Sequence, residues 1–362
     1  MEQNWTILSL LRELSLTFGP SGCEDAVADL IRERIAGYYD ELIPDRMGGV
    51  IALIRGSGNV TEGAPRRLML SCHMDEVGFM IREITEEGLL KITSLMGRDT
   101  RVLADRRVLV GNELGQVRGV IGVKPIHLLK ANERENAPEM DDLYVDIGAA
   151  DREEAEKYVR PGDYGTFESD FVRFGQEGRC IKGKALDDRI GCAVLCSVMR
   201  TLYESETRPP CDVYFAFTCR EELGISGAQT AAHLIAPTHA MVFEATAIGD
   251  IAGTPAHRQV AHQGKGPAVS LMDRGTIYDR EFTDFVTQTA QKCGIPFQYK
   301  QYVSGGNDAG HIHKTRAGVK CAAISAPARY IHTASNVVAV SDVLSMADLA
   351  NAVICRLAEE NE

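Results

Sequence analysis

Five short segments of this chain carry side chains that could do hydrolytic chemistry, and most of them stand where an apolar run ends. SCHMDEVGF places His73 after such a run, with Asp75 two residues on. On an extended chain both side chains project the same way. A metal-bound imidazole needs its second nitrogen held by a carboxylate or carbonyl, which sets its tautomer and direction. GKALDDRIGCAV places Asp187 and Asp188 ahead of an apolar helical pattern. The ordinary reading there is N-capping, although two acids are more than one cap needs. In DVYFAFTCREELGISGA an apolar run ends in Glu221 and Glu222. Adjacent carboxylates are electrostatically costly unless cations lie nearby, or unless both are simply solvated. MVFEATAIGD and SAPARYIHTASNVV supply Glu244 and His332, each of which taken alone reads as a loop or strand-end residue.

Together, His73, Asp187, Glu222, Glu244 and His332 have the composition of a dinuclear site for zinc, cobalt or manganese. One carboxylate would bridge, and each metal would add a histidine and a second carboxylate. Two such ions about 4 Å apart share a water, lower its pKa and polarise a carbonyl. Glu221 is then left over as the general base.

The elements that must position these residues follow from periodicity. Amphipathic helices are expected over Trp5–Thr17 and Cys23–Tyr39, and strands over Val50–Ile54 and Leu68–Cys72. From Val77 to about Phe171 the chain alternates in short runs broken by Gly, Asn and Asp, with one helical stretch at Asp151–Tyr158. That pattern reads as a small all-β module. Beyond Ala185, helices are expected at Asp187–Leu202, Gly227–Ile235, Tyr278–Cys293 and Ser341–Glu359. Strands at Asp212–Thr218, His239–Phe243 and Val319–Ser325 alternate with them. The expected architecture is an α/β/α sandwich on a mixed, largely parallel sheet, split by an all-β insertion. Residues 1–74 and 172–362 would form the catalytic domain, and residues 75–171 the insertion.

With 44% hydrophobic and 25% charged residues, the 362-residue chain has ample material for a core. A net charge of −12 argues against nucleic acid or an anionic membrane as partner. The opening MEQNWTILSLLREL has neither a basic start nor a cleavage site, so no secretory signal is expected. No run approaches the roughly 20 apolar residues of a membrane span. The ten cysteines fall into no zinc or redox spacing and read as buried thiols of a reducing, cytoplasmic compartment.

In CHMDEVGF, GKALDDRIG, EELGISGA and RYIHT, at their order and spacing, the chain resembles the tetrahedral (TET) aminopeptidases. That family includes glutamyl and deblocking aminopeptidases among the co-catalytic metallopeptidases, and the resemblance covers nearly the whole chain. It implies that His73 and Glu244 complete one metal, and Glu222 and His332 the other, with Asp187 bridging. Asp75 would support His73, and Glu221 would be general base and acid. SGGNDAGHIH, with Ser304, Gly305 and Gly306, resembles the family's substrate-lining loop. The resemblance further implies a PDZ-like or barrel-like insertion that drives dimerisation, and dimers assembled into a hollow dodecamer. The substrates would be peptides with a free N-terminus. Many relatives carry Asp where this chain has Glu244, a departure that bears on one- or two-oxygen binding and on metal preference. Three other readings make different demands. An amidohydrolase or deacylase would use the same site on another amide. A glycosidase would leave both histidines without a role. A non-catalytic scaffold would be expected to have lost a ligand or the base.

Overall fold

The computed structural model describes residues 5–58, 67–95, 99–112, 115–130 and 134–359. Residues 1–4, part of the segment read for a leader, lie outside them.

Helices α1 (Ile7–Leu16) and α2 (Asp25–Ile35) precede strands β1 (Glu41–Pro44), β2 (Val50–Ile54) and β3 (Arg67–His73). The chain then leaves the sheet. Strands β4 (Phe79–Ile84), β5 (Leu90–Ser94), β6 (Arg107–Asn112), β7 (Gly115–Gly122), β8 (Tyr144–Asp146) and β9 (Tyr164–Phe167) close a barrel. The short helix α3 (Arg152–Ala155) lies between its last two strands. The barrel has its own core around Phe79, Ile92, Val108, Ile121 and Phe167.

The chain returns through β10 (Val172–Phe174), β11 (Cys180–Gly183), α4 (Leu186–Glu204), β12 (Asp212–Thr218), α5 (Ser226–Ile235) and β13 (His239–Ala247). There follow β14 (Ala268–Val269), α6 (Arg280–Lys292), β15 (Gln298–Tyr299), α7 (Ala309–Ile312), β16 (Lys320–Arg329), β17 (Asn336–Ala339) and α8 (Val340–Glu359). The sheet runs β1-β2-β12-β3-β13-β16-β17-β11-β10, with β14 paired to β16 and β15 to β14. Its centre, β12-β3-β13-β16, is parallel, whereas the flanking pairs are antiparallel.

Strand period 2 divides the core into two layers. Leu68, Leu70, Phe215, Phe217, Met241 and Phe243 pack on α1, α2, α4, α6 and α8. Met69, Ala216, Ala240, Val242, Cys321 and Ala323 pack on α5 and α7. The same alternation carries His73 and Glu244 to the α5/α7 face. Helix α4 is buried along almost its whole length, which explains why its pattern reads as apolar more than amphipathic.

Some details differ from the sequence reading. β13 runs on past Phe243 to Ala247, because β16 keeps pairing with it as far as Ala328. The short strands β1, β10, β11 and β17 were not anticipated. Each has only three or four residues, too few for an alternation to register. Cys293 and Cys355 are exposed, contrary to the buried-thiol reading, because they fall at the ends or outer faces of α6 and α8. No disulfide forms among the described residues. No described helix is long and apolar enough to cross a membrane.

Candidate metal centre and active site

His73 is the last residue of β3. Its Nδ1 lies 3.1 Å from the Asp75 carbonyl and 3.4 Å from Asp75 Oδ1, so the ring's far nitrogen is aimed outward. That Nε2 lies 3.4 Å from Asp187 Oδ1 and 3.6 Å from Glu244 Oε2. The other oxygen of Asp187 faces the second histidine. His332 Nε2 lies 3.2 Å from Asp187 Oδ2 and 3.4 Å from Glu222 Oε2. His332 reaches this position from a turn after β16 in which it adopts φ 60°. Asn336 closes that turn by donating to the carbonyls of Tyr330 and Thr333.

The two adjacent aspartates divide their tasks. Asp188 Oδ1 accepts the Gly191 backbone N–H at 2.9 Å, which is the bond of an N-cap. Gly191 is required there, since a Cβ would stand 2.2 Å from Asp188 Oδ2 and 2.7 Å from Cys72 Cβ. Asp187 is thereby left free to face the histidines. The peptide between the two aspartates is cis.

Glu221 and Glu222 sit in a tight turn between β12 and α5. The N–H groups of Ile225, Ser226 and Gly227 donate to the carbonyls of Glu221, Arg220 and Cys219. A Cβ on Gly227 would come within 2.4 Å of the Cys219 carbonyl, so the turn can close only on glycine. Asp75 then fixes the turn from below. Its Oδ1 accepts the Glu221 N–H at 2.9 Å, and its Oδ2 accepts the Glu222 N–H at 3.0 Å and the Ser21 hydroxyl at 2.8 Å. Asp75 therefore supports the EE turn as well as His73.

The electrostatics call for a cation. Asp187 Oδ1, Asp188 Oδ2, Glu222 Oε1 and Glu244 Oε1 are buried without a hydrogen-bond partner, a state native proteins rarely leave uncompensated. Burial pushes Glu222 and Glu244 up to about 8, opposed by His332 and His73 and reinforced by Asp187. Burial also holds Glu221 well above the carboxylate range, with Glu244, Glu222 and Asp308 adding to the effect against His73. Burial alone would lower the two histidines. The surrounding carboxylates win, raising His73 well above its usual value and His332 to about 9. A bound divalent ion reverses this pattern by favouring ionised carboxylates and neutral imidazoles. Ligand-competent atoms of His73, Asp187 and Glu222, and of His73, Asp188 and Glu244, lie within 4.8 Å of one another. These residues fit divalent cations in donor type, burial and unmet bonding capacity.

The structure thus brings together His73, Asp75, Asp187, Glu221, Glu222, Glu244 and His332. Ser304, Gly305 and Gly306 are not drawn into that cluster. The Ser304 carbonyl accepts Lys300 Nζ and the Gly305 carbonyl accepts the Arg274 N–H, in a partly exposed loop. Several supporting residues escaped the sequence reading. Glu24 accepts the Arg220 N–H, and Ser21 holds Asp75, although both look like ordinary polar residues around an amphipathic helix. Asp308 is fully buried and bonds the hydroxyls of Thr218 and Ser71 beneath His73. It belongs to SGGNDAGHIH, the same segment as Ser304, Gly305 and Gly306.

The donor set is that of a metal-dependent hydrolase, and the comparisons with known proteins give its class as aminopeptidase. The sequence profile of the M42 glutamyl aminopeptidases matches residues 48–349, and the chain belongs to that family. A lysyl aminopeptidase of Pyrococcus furiosus is 31% identical, over 95% of this chain and 96% of its own. The crystal structure of a TET aminopeptidase from a marine-sediment Thaumarchaeota archaeon is 35% identical with a TM-score of 0.90. It covers 98% of this chain and 99% of its own. A TET1 peptidase of Pyrococcus horikoshii, described as assembling into a tetrahedron or a large octahedral shell, is 30% identical with a TM-score of 0.83. That match covers 96% of this chain and 99% of its own.

Proposed function

We propose that this protein removes N-terminal residues from peptides, using Glu221 as general base and acid beside two divalent metal ions. The observation that carries this reading is the position of Asp187. Its two oxygens face His73 with Glu244 on one side and His332 with Glu222 on the other. On this reading His73 and Glu244 would hold one ion and Glu222 and His332 the other, with Asp187 as the ligand shared between them. Zinc suits the mixed imidazole and carboxylate set, with cobalt and manganese as alternatives. When bound, the ions acidify a water and polarise the scissile carbonyl.

The chain's own residues do the rest. Glu221 takes the proton of the attacking water and delivers it to the departing amine. Asp75 keeps Glu221 and Glu222 in place through their backbone N–H groups. The surplus of carboxylates favours a cationic α-amino group over a blocked one. The half-exposed edge of His332 supports entry from that side.

Residues 1–74 and 172–362 form the catalytic unit in this proposal, and residues 75–171 the insertion through which copies pair. A dimer on each edge of a tetrahedron gives a dodecamer, a reading supported by the tetrahedral assembly of the P. horikoshii relative. The proposal places the protein in a reducing, cytoplasmic setting, where mostly buried free thiols such as Cys72, Cys192 and Cys196 persist.

A peptide panel with free and acetylated N-termini, run with and without a chelator, tests the function. Cleavage only of free N-termini, lost on chelation and restored by zinc or cobalt, is expected. A metal-replete protein inert on that panel but active on N-acyl amino acids would move the assignment to a deacylase. Inactivity on both would leave the scaffold reading.

A further inference from the structure

Glu76 follows Asp75 at the point where the chain leaves the sheet for the barrel. It is almost completely buried, yet none of the chemistry above uses it. One carboxylate oxygen accepts Lys184 Nζ at 2.6 Å and lies 3.5 Å from Arg189 Nη2. The other accepts the hydroxyl of Thr166, in the barrel's closing strand β9, at 2.8 Å. Its backbone is engaged as well. The Glu76 N–H donates to the Gly19 carbonyl, and the Glu76 carbonyl accepts the N–H of Ser21, whose hydroxyl bonds Asp75. Both crossings between sheet and barrel thus meet at one carboxylate.

The two cations bound to Glu76 lead directly to the site. Lys184 lies three residues before Asp187 on the same chain segment, and its carbonyl accepts Ser15 Oγ at 2.6 Å. Arg189 lies two residues after Asp187. Its Nε donates to the Met74 carbonyl at 2.6 Å, and its other nitrogens donate to the carbonyls of Leu14, Thr17 and Gly19. The segments bearing His73 and Asp187 are therefore joined through Arg189, and Glu76 closes the joint against the barrel. A buried ionic cluster adds little stability over a well-packed apolar one. What it supplies is direction, since each donor is committed to one acceptor.

We infer that Glu76 is a positioning residue, which transmits the seating of the barrel to the spacing of His73 and Asp187 and so sets metal affinity. This rests on the metal assignment above. Direct partners of metal ligands typically change metal affinity by about 10- to 100-fold when removed, and Glu76, acting through Lys184 and Arg189, is expected at the low end of that range. Thr166, in a different domain from Asp187, is expected to do the same through Glu76.

The test is cobalt binding to the assembled, full-length protein by calorimetry, together with the visible absorption of the bound cobalt. Four variants are needed: Glu76→Gln, Thr166→Val, the double variant and Thr166→Ser. Glu76→Gln and Thr166→Val should each weaken cobalt binding about 10-fold or more and alter the absorption. The double variant should be no weaker than the worse single, because both cut one path. Thr166→Ser, which keeps the hydroxyl, should bind as wild type. Ile121→Val, which thins the barrel core, should lower thermal stability and leave cobalt binding unchanged. Wild-type affinity and absorption in Thr166→Val would overturn the inference, as would equal weakening in Ile121→Val. Failure of the unaltered protein to bind cobalt would refute the metal assignment instead.

Discussion

Asp187 and Asp188 are chain neighbours with separate duties: Asp188 bonds the first turn of α4, and Asp187 faces His73 and His332 with an oxygen toward each. Asparagine caps a helix about as well as aspartate, so Asp188→Asn should keep both the helix and metal binding, with activity within a few-fold of wild type. Asp188→Ala should lower stability by about 1 kcal/mol, as lost caps do. Asp187→Asn should abolish binding of at least one metal. Metal content after dialysis reads this out, and loss of metal in Asp188→Asn would make that residue a ligand as well.

Glu221→Gln should retain both metals and the wild-type melting temperature while turnover falls by about a thousandfold or more, the scale of a lost general base combined with a misplaced water. Surviving activity would remove Glu221 from the role of base.

Asp75 bonds both glutamate N–H groups and stands behind His73, so Asp75→Asn should injure the site twice. The amide cannot accept from both neighbours and Ser21 as a carboxylate does. Metal affinity should fall about 10- to 100-fold, and kcat should remain low even at saturating metal. Full recovery of kcat with added metal would limit Asp75 to supporting His73.

Chelation should destabilise the protein as well as silence it, because buried carboxylates would lose their counter-charges. A ligand at a thousandfold above its Kd contributes about 4 kcal/mol, which calorimetric melting with and without chelator would resolve. Equal melting temperatures would mean that the acidic cluster needs no cation to fold.

His239, far from the site at the start of β13, gives a pH prediction with a definite sign. Burial and the nearby Lys320 lower it from its ordinary 6.5 to about 4, and its ring packs edge-on against Phe282 at 5.0 Å. The folded state therefore holds the neutral ring. The stability this contributes is complete above pH 6.5 and is lost as the pH falls toward 4, where the unfolded chain alone binds the proton. Urea unfolding at pH 7 and pH 5 should show a smaller drop for His239→Gln than for wild type. Equal drops would place the acid sensitivity elsewhere.

Long elements announced themselves in the sequence. The strand Asp212–Thr218 shows the boundaries its apolar run suggests, and the helix entering at Asp187 was visible from its small and apolar residues. The proposed ligands were legible because each stands beside a run that periodicity can recognise. Their supports were not, for a physical reason. Ser21, Glu24, Glu76 and Asp308 act through bonds to residues up to 196 positions away, and no local pattern marks such a partner. Asp188 could have been separated from Asp187 by noting that Gly191 stands three residues after it, the spacing of a cap to its N–H. That the insertion is all-β was readable from alternation, but its closure into a barrel depends on β9 returning to β4 and β6, a long-range pairing outside the reach of composition.

The donors of the proposed centre are scattered from position 73 to position 332, with the whole barrel threaded between the first two. During synthesis, then, the ribosome releases a chain with no complete ligand set until the turn after β16 has emerged. A growing polypeptide is itself surrounded by free N-termini, including those of its neighbours. Placing the last imidazole so late leaves the proposed ligand set incomplete for most of the chain's synthesis, a consequence of strand order alone.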